Sequence, residues 1–194
     1  AQVAEIRQTT IDLYGFDPLS YADTTESTQE NVTLRLDYIV DENHRLQYDY
    51  KLAEGDALRA DSGFDSFYFT SASYLKTEKT ETNSVLLISN WSDNLSTEVN
   101  YSSKETTTGQ NSPAGQNVPN LYIDNAYGNE VYIGADIYRS ANELATTTDF
   151  LKLKAIYYAD NHKITAGYEN TSWDIYNLFI VAQDGQWEFD SLDD

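Results

Sequence analysis

The sequence predicts an all-β chain of antiparallel, up-and-down strands. Three observations carry this: an aromatic and β-branched composition, segments that alternate polar and apolar residues with a period of two, and a turn motif that recurs three times. The 194 residues include 16 Tyr, 7 Phe and 3 Trp against 9 Gly and 3 Pro, a balance that favours pleated strands. The length suits one domain.

The turn motif sets the frame. Asp41-Glu42-Asn43-His44, Ser92-Asp93-Asn94-Leu95 and Ala159-Asp160-Asn161-His162 each precede an alternating segment, and each Asn is followed seven residues later by Tyr: Tyr50, Tyr101 and Tyr168. Asp and Asn hydrogen-bond their own backbone and tolerate tight turns, so each motif reads as a hairpin reversal.

The flanks alternate as strands do. In 32–40 the apolar side is Val32, Leu34, Leu36, Tyr38 and Val40, with Thr33, Arg35 and Asp37 opposite. In 45–52, Leu46, Tyr48, Tyr50 and Leu52 oppose Arg45, Gln47, Asp49 and Lys51. Leu95, Thr97, Val99 and Tyr101 oppose Ser96, Glu98, Asn100 and Lys104; Leu151, Leu153, Ala155 and Tyr157 oppose Lys152 and Lys154; Ile164, Ala166 and Tyr168 oppose Lys163, Thr165 and Glu169. Strands are expected near 3–14, 31–40, 44–53, 79–91, 95–105, 148–158 and 162–173, with 190–194 starting an eighth. The strand-like stretch 130–138 is assigned by parity to an excursion outside the sheet.

Polar stretches at 15–30, 53–78 and 105–147 read as long loops, so long loops alternate with short turns. Outer-membrane barrels keep short turns on the periplasmic side and long loops outside. The expected architecture is therefore an antiparallel up-and-down transmembrane β-barrel segment spanning 1–194. Single-chain bacterial barrels have even strand counts; seven strands, with no Met in the sequence, point to a partial barrel without plug or signal peptide.

Charge and composition exclude several functions. A net charge of −20 repels phosphate backbones, so nucleic acid is not an expected partner. The absence of Cys removes disulfides, thiolate metal sites and Cys nucleophiles. No apolar run approaches the roughly 20 residues of a membrane helix, and the mean hydropathy of −0.57 is compatible with barrel strands, whose apolar content is hidden in alternation.

Residues 31–50 (NVTLRLDYIVDENHRLQYDY), 86–101 (LLISNWSDNLSTEVNY) and 149–179 (DFLKLKAIYYADNHKITAGYENTSWDIYNLF), together with 138–144 (YRSANEL), resemble the barrel region of TonB-dependent outer-membrane receptors, in particular the Oar-like group. The resemblance implies a barrel of about 22 strands, a plug domain inside it, and solute uptake powered by an inner-membrane energising complex that acts through the plug. The partners implied are outer-membrane lipid, the plug, the remaining barrel strands, that complex and a solute the sequence does not identify; the implied location is the outer membrane of a Gram-negative cell.

On this reading Arg35, Asp37, Arg45, Asp49, Lys51, Glu98, Lys152, Lys154, Lys163 and Glu169 face the lumen. Trp91, Tyr157 and Tyr158 near the turns, with Trp173 and Tyr176 toward the other end, form membrane-interface girdles. No cofactor, metal or catalytic residues are assigned, and the protein is not expected to be an enzyme. His44 and His162 read as separate turn residues. Asp56, Asp61 and Asp65, oxygen donors that could suit calcium, lack EF-hand spacing, and no nucleophile elbow, HExxH motif or phosphate-cradling glycine loop occurs. The alternative is a secreted all-β binding module for glycan or protein, in which Leu34, Leu36, Tyr48 and Tyr50 lie buried between two sheets.

Overall fold

The structure, a computed structural model, describes residues 2–21, 24–60, 63–115, 117–139 and 141–193. Asp61 and Asp194 lie outside the described residues. Six strands form one antiparallel meander: β1 (Ser27–Ile39), β2 (His44–Arg59), β4 (Tyr74–Ser92), β5 (Leu95–Asn111), β8 (Asn142–Ala159) and β9 (His162–Phe179), in the order β1-β2-β4-β5-β8-β9. The sheet is open. β1 pairs only with β2 and β9 only with β8, so no closed barrel forms among the described residues.

Two expectations about this sheet need correction. Residues 3–14 are not a strand; the helix α1 (Gln2–Tyr14) takes their place. Its buried residues, Ile6 and Thr10, are four apart, the spacing of one helical face, and Gly15 ends the helix at φ +74° with its N–H on the Ile11 carbonyl. The meander thus has six strands, an even number, and the argument from an odd count falls. The strands also run well past the expected ends at 53, 79, 105 and 148. Segments such as 77–82 and 104–108 are polar on both faces and carry no alternation, yet they stay paired residue for residue.

The short turns form as the motif predicts. Asp41 Oδ1 accepts the Asn43 and His44 N–H groups at 2.8 and 2.9 Å, and Ser92 Oγ accepts those of Asn94 and Leu95. Asp160 takes the left-handed conformation, φ +51°, which Asp adopts more readily than most residues.

The long connections are not plain loops. With α1 and the C-terminal segment they build a second unit, a cap, around a four-stranded sheet of order β10-β6-β7-β3: β3 (Ser66–Tyr68), β6 (Asn120–Ala126), β7 (Asn129–Gly134) and β10 (Gln186–Ser191). β7 accounts for the excursion at 130–138, and β10 lies in this sheet instead of starting an eighth meander strand. A two-residue turn with positive φ at Tyr127 and Gly128 joins β6 to β7.

The apolar core of the chain sits here. Ile6, Phe69, Leu121, Ile123, Ala126, Val131 and Ile133 form one buried cluster, with Phe16, Phe67 and Phe189 packed against it. Leu121 pairs with Ile133 and Ile123 with Val131 across β6 and β7, so the inward face of the hairpin is wholly aliphatic. Gly134, at φ +83°, closes it: a Cβ there would lie 1.9 Å from the Pro119 carbonyl oxygen.

Helix α1 is tied to the following segment by Arg7, whose guanidinium meets both carboxylate oxygens of Asp17 at 2.7 and 2.6 Å. The Arg7 hydrogen bond, helped by the Leu19 N–H, holds the Asp17 carboxyl down to about 2. A depressed folded-state value stabilises the fold above the ordinary aspartate range of about 3.9. We expect the anchoring of α1 to be intact above that range and lost as pH falls toward 2, read as helical circular dichroism, with Asp17→Asn abolishing that pH dependence.

Candidate functional site: a two-faced sheet

The six-stranded sheet buries no apolar side chain among its described residues; every buried hydrophobic lies outside its strands. Leu34 and Leu36 are 46% and 55% exposed, so the two-sheet sandwich that would bury them is not what the chain forms. Both faces of the meander are open, and they differ.

Direct antiparallel partners share a face, so the register sorts the side chains. One row reads Tyr38, Leu46, Leu87, Val99, Leu153, Tyr168 across all six strands; the next reads Leu36, Tyr48, Val85, Tyr101, Leu151, Asn170. Leu34 and Tyr50 lie above; below come His44, Ser89, Thr97, Ala155 and Ala166, and then Leu95, Tyr157 and Ile164. The result is a mainly apolar band on one face, at the short-turn end, that crosses all six strands. Farther from the turns the same face becomes polar, with Asn83, Ser103, Asp149 and Ser172 in one row and Glu81, Glu105, Thr147 and Asp174 in the next.

The band does not follow the hydrogen-bonded rows. His44 is level with Thr97, and the next hairpin closes two residues farther on, at Leu95; Leu95 is level with Tyr157, and the third closes two residues beyond that, at Ala159. Each hairpin is thus staggered by two residues, or one per strand. At about 3.3 Å per residue and 4.8 Å between strands, the line through the turns slopes about 35° to the rows. The tyrosines seven residues past each turn, Tyr50, Tyr101 and Tyr168, follow the same slope, because each lies one row lower than the one before.

All ten residues expected to face a lumen occupy the opposite face, and eight of them form pairs. Arg35 bonds its direct partner Asp49 at 2.6 Å; Glu98 bonds Lys154 and Lys152 bonds Glu169, each at 3.1 Å. Arg45 reaches diagonally to Asp37. Lys163 lies 5.8 Å from the centre of the Tyr158 ring, and Lys51 sits level with Thr33 and Thr82. Ile39, Leu86, Ile88, Phe150 and Ile156 share this face, so it is mixed, not wholly polar.

The aromatic assignment needs revision. Trp91 is the extra residue where the β4–β5 register shifts; its indole N–H donates to Thr97 Oγ1 at 2.8 Å and its ring meets the His44 ring at 4.9 Å, so it lies on the apolar face. Tyr157 and Tyr176 share that face, but Tyr158 and Trp173 point to the charged side. Successive residues of a strand cannot share a face, which rules out one girdle holding both Tyr157 and Tyr158. The upper rim of the band is instead Tyr50, Tyr101 and Tyr168, with Tyr48 Oη donating to Asn83 at 2.7 Å and Tyr101 Oη to Asp149 at 2.9 Å. The recurrent Asn-to-Tyr spacing was the signal for it.

No known family model matches the chain, and no curated protein matches it in sequence. Among the described residues no cluster of three or more His, Cys, Asp or Glu could hold a metal ion, and Asp56, one of the acids weighed for calcium, accepts a hydrogen bond from Thr28 instead.

The charged pairs set register more than stability, because half-exposed cross-strand pairs are worth about 0.2–1 kcal/mol. A double-mutant cycle on Glu98→Ala and Lys154→Ala should return a coupling in that range, and the same cycle on Lys51 and Glu98, which are not paired, should return none.

Proposed function

We propose that the chain is a stretch of the wall of an outer-membrane β-barrel, in a receptor-type transporter of the TonB-dependent kind, with the apolar band against lipid and the charged face toward the channel. The observation that carries this is the band itself. It is continuous across six strands, solvent-exposed, and inclined to the hydrogen-bonded rows by about 35°, so that strands with this band in the membrane plane tilt from the membrane normal by close to the 35–45° of barrel strands. A slope of one residue per strand brings all three short turns to a single plane when the strands tilt, as a flat membrane boundary requires.

Dimensions and edges agree. Residues 95–101 and 151–157, along strands tilted about 35°, give a band roughly 20 Å tall, near the roughly 25 Å of bacterial outer-membrane proteins. At its upper rim Tyr101 keeps its ring in the apolar zone and its hydroxyl on Asp149. The free edges of β1 and β9 would be intolerable in hydrocarbon, so on this reading both are paired in the bilayer, with each other, with a second copy of the chain or with further strands. The polar upper halves of the strands then project beyond the lipid and carry the cap. Solute uptake, the plug and the energising complex enter through the sequence resemblance alone.

The test is folding into phosphatidylcholine vesicles. Leu153→Arg, at the middle of the band, should cost about 2–4 kcal/mol of folding stability in the bilayer, whereas Lys152→Arg on the other face should leave it unchanged. A chain that is a folded, soluble monomer in plain buffer and ignores vesicles would overturn the proposal.

A further inference from the structure

The two outer strands of the meander each leave one side unpaired: β1, with 13 residues exposed at every position, and β9, with 18 residues exposed at nearly every one. Long open edges invite another strand, and proteins usually blunt them with proline, a bulge or a covering segment. Neither strand contains proline. The segments that flank the meander, α1 and β10, both go to the cap.

Direction and facing both allow β9 of one chain to meet β1 of another. β1 runs toward the short turns and β9 away from them, so these edges pair antiparallel. Leu34, Leu36 and Tyr38 on β1 lie on the same face of the sheet as Ile164, Ala166 and Tyr168 on β9. Leu36 and Ile164 are each 55% exposed.

The stagger then fixes the register. The three hairpins close in steps of two residues, at the levels of Ala166, Ile164 and His162 of β9. One more step sets a second chain's β1 so that Tyr38 meets His162, Leu36 meets Ile164, Leu34 meets Ala166 and Val32 meets Tyr168. Above them Glu30 meets Asn170 and Thr28 meets Ser172, so apolar residues face apolar ones and polar residues face polar ones. On the charged face Asp37 meets Lys163 and Arg35 meets Thr165. Among the described residues of its own chain Lys163 meets only the Tyr158 ring, and this register gives it a carboxylate. Level pairing without the step, Tyr168 against Tyr38, would set Glu169 against Asp37 and place Asn170, Ser172 and Asp174 against Leu36, Leu34 and Val32. Opposite charges and apolar residues favour direct cross-strand pairing, and like charges oppose it.

We propose that the wall continues through a second copy of this chain, β9 of one copy pairing with β1 of the next in the stepped register. This assembly rests on the lipid reading of the band and is independent of the receptor assignment. A head-to-tail contact of this kind repeats from copy to copy and closes into a ring where the rotation permits. Closure of one chain on itself would make a barrel of six strands, narrower than the roughly eight whose interior is already filled by side chains. Arg35, Arg45, Lys51, Lys152 and Lys154 would all crowd its inner face.

The test again uses the lack of native cysteine. Ile164→Cys and Leu36→Cys are made in separate chains, mixed, folded into phosphatidylcholine vesicles and oxidised with copper phenanthroline. Lys163→Cys with Asp37→Cys supplies the adjacent pair, and one of two adjacent pairs is always the closer, non-hydrogen-bonded kind, within reach of a disulfide. At least one mixture should give a disulfide dimer on a non-reducing gel where neither variant alone does. Lys163→Glu added beside Ile164→Cys should lower the dimer yield about twofold. Ile164→Cys and Leu36→Cys placed in one chain should give a ladder of multimers, whereas self-closure gives a product of monomer mass. Dimer from neither mixture, dimer from Asn170→Cys with Leu36→Cys instead, or a monomer-mass product alone would overturn the proposal. If Leu153→Arg still impairs folding in the same vesicles, the lipid reading survives that failure; if it does not, both fall.

Discussion

An apolar sheet face with no protein against it governs how this chain is built. A two-layer fold covers such a face with helices or a second sheet; here α1 packs on the cap, and the rows from Tyr38 to Tyr168 stay open. Exposed apolar surface on this scale marks an interaction with lipid or protein. The one-residue stagger adds direction, since it inclines the surface to the strands as a bilayer slab would be inclined.

The cap explains how such a sheet is held at its far end. Long polar half-strands from β2, β4, β5 and β8 lift the connections away from the apolar band, and those connections fold against one another around Phe69, Leu121 and Ile133. The chain thus divides its hydrophobic residues between two environments: those in the cap bury each other, and those in the meander do not. Ser71, fully buried, ties the units together as an acceptor, taking the Gly134 N–H on its Oγ and the Ser112 hydroxyl on its carbonyl.

The meander was legible in sequence because alternation and turn chemistry are local. Arg35 and Asp49, or Glu98 and Lys154, fall on one face by parity alone, and the structure adds only that they are partners. The cap was not legible for the same reason inverted. Its core joins Ile6 to Phe69 and Val131 across more than half the chain, and nothing in residues 3–14 announces a helix except the spacing of Ile6 and Thr10. The 122–134 hairpin did carry a signal, aliphatic and tyrosine residues alternating around Tyr127-Gly128, but it sat inside a stretch whose Thr, Asn and Gly content reads as loop. Tyr158 and Trp173 were misplaced by grouping aromatics by height along the strand without applying the period of two.

The most direct measurement uses the absence of cysteine. Nitroxide labels placed singly at positions 151 to 157 of the vesicle-bound chain report, by power saturation, whether each site meets oxygen in lipid or a polar nickel chelate in water. The account predicts strict alternation, with 151, 153, 155 and 157 reporting lipid and 152, 154 and 156 reporting water. Uniform access of the nickel chelate to all seven positions would contradict it.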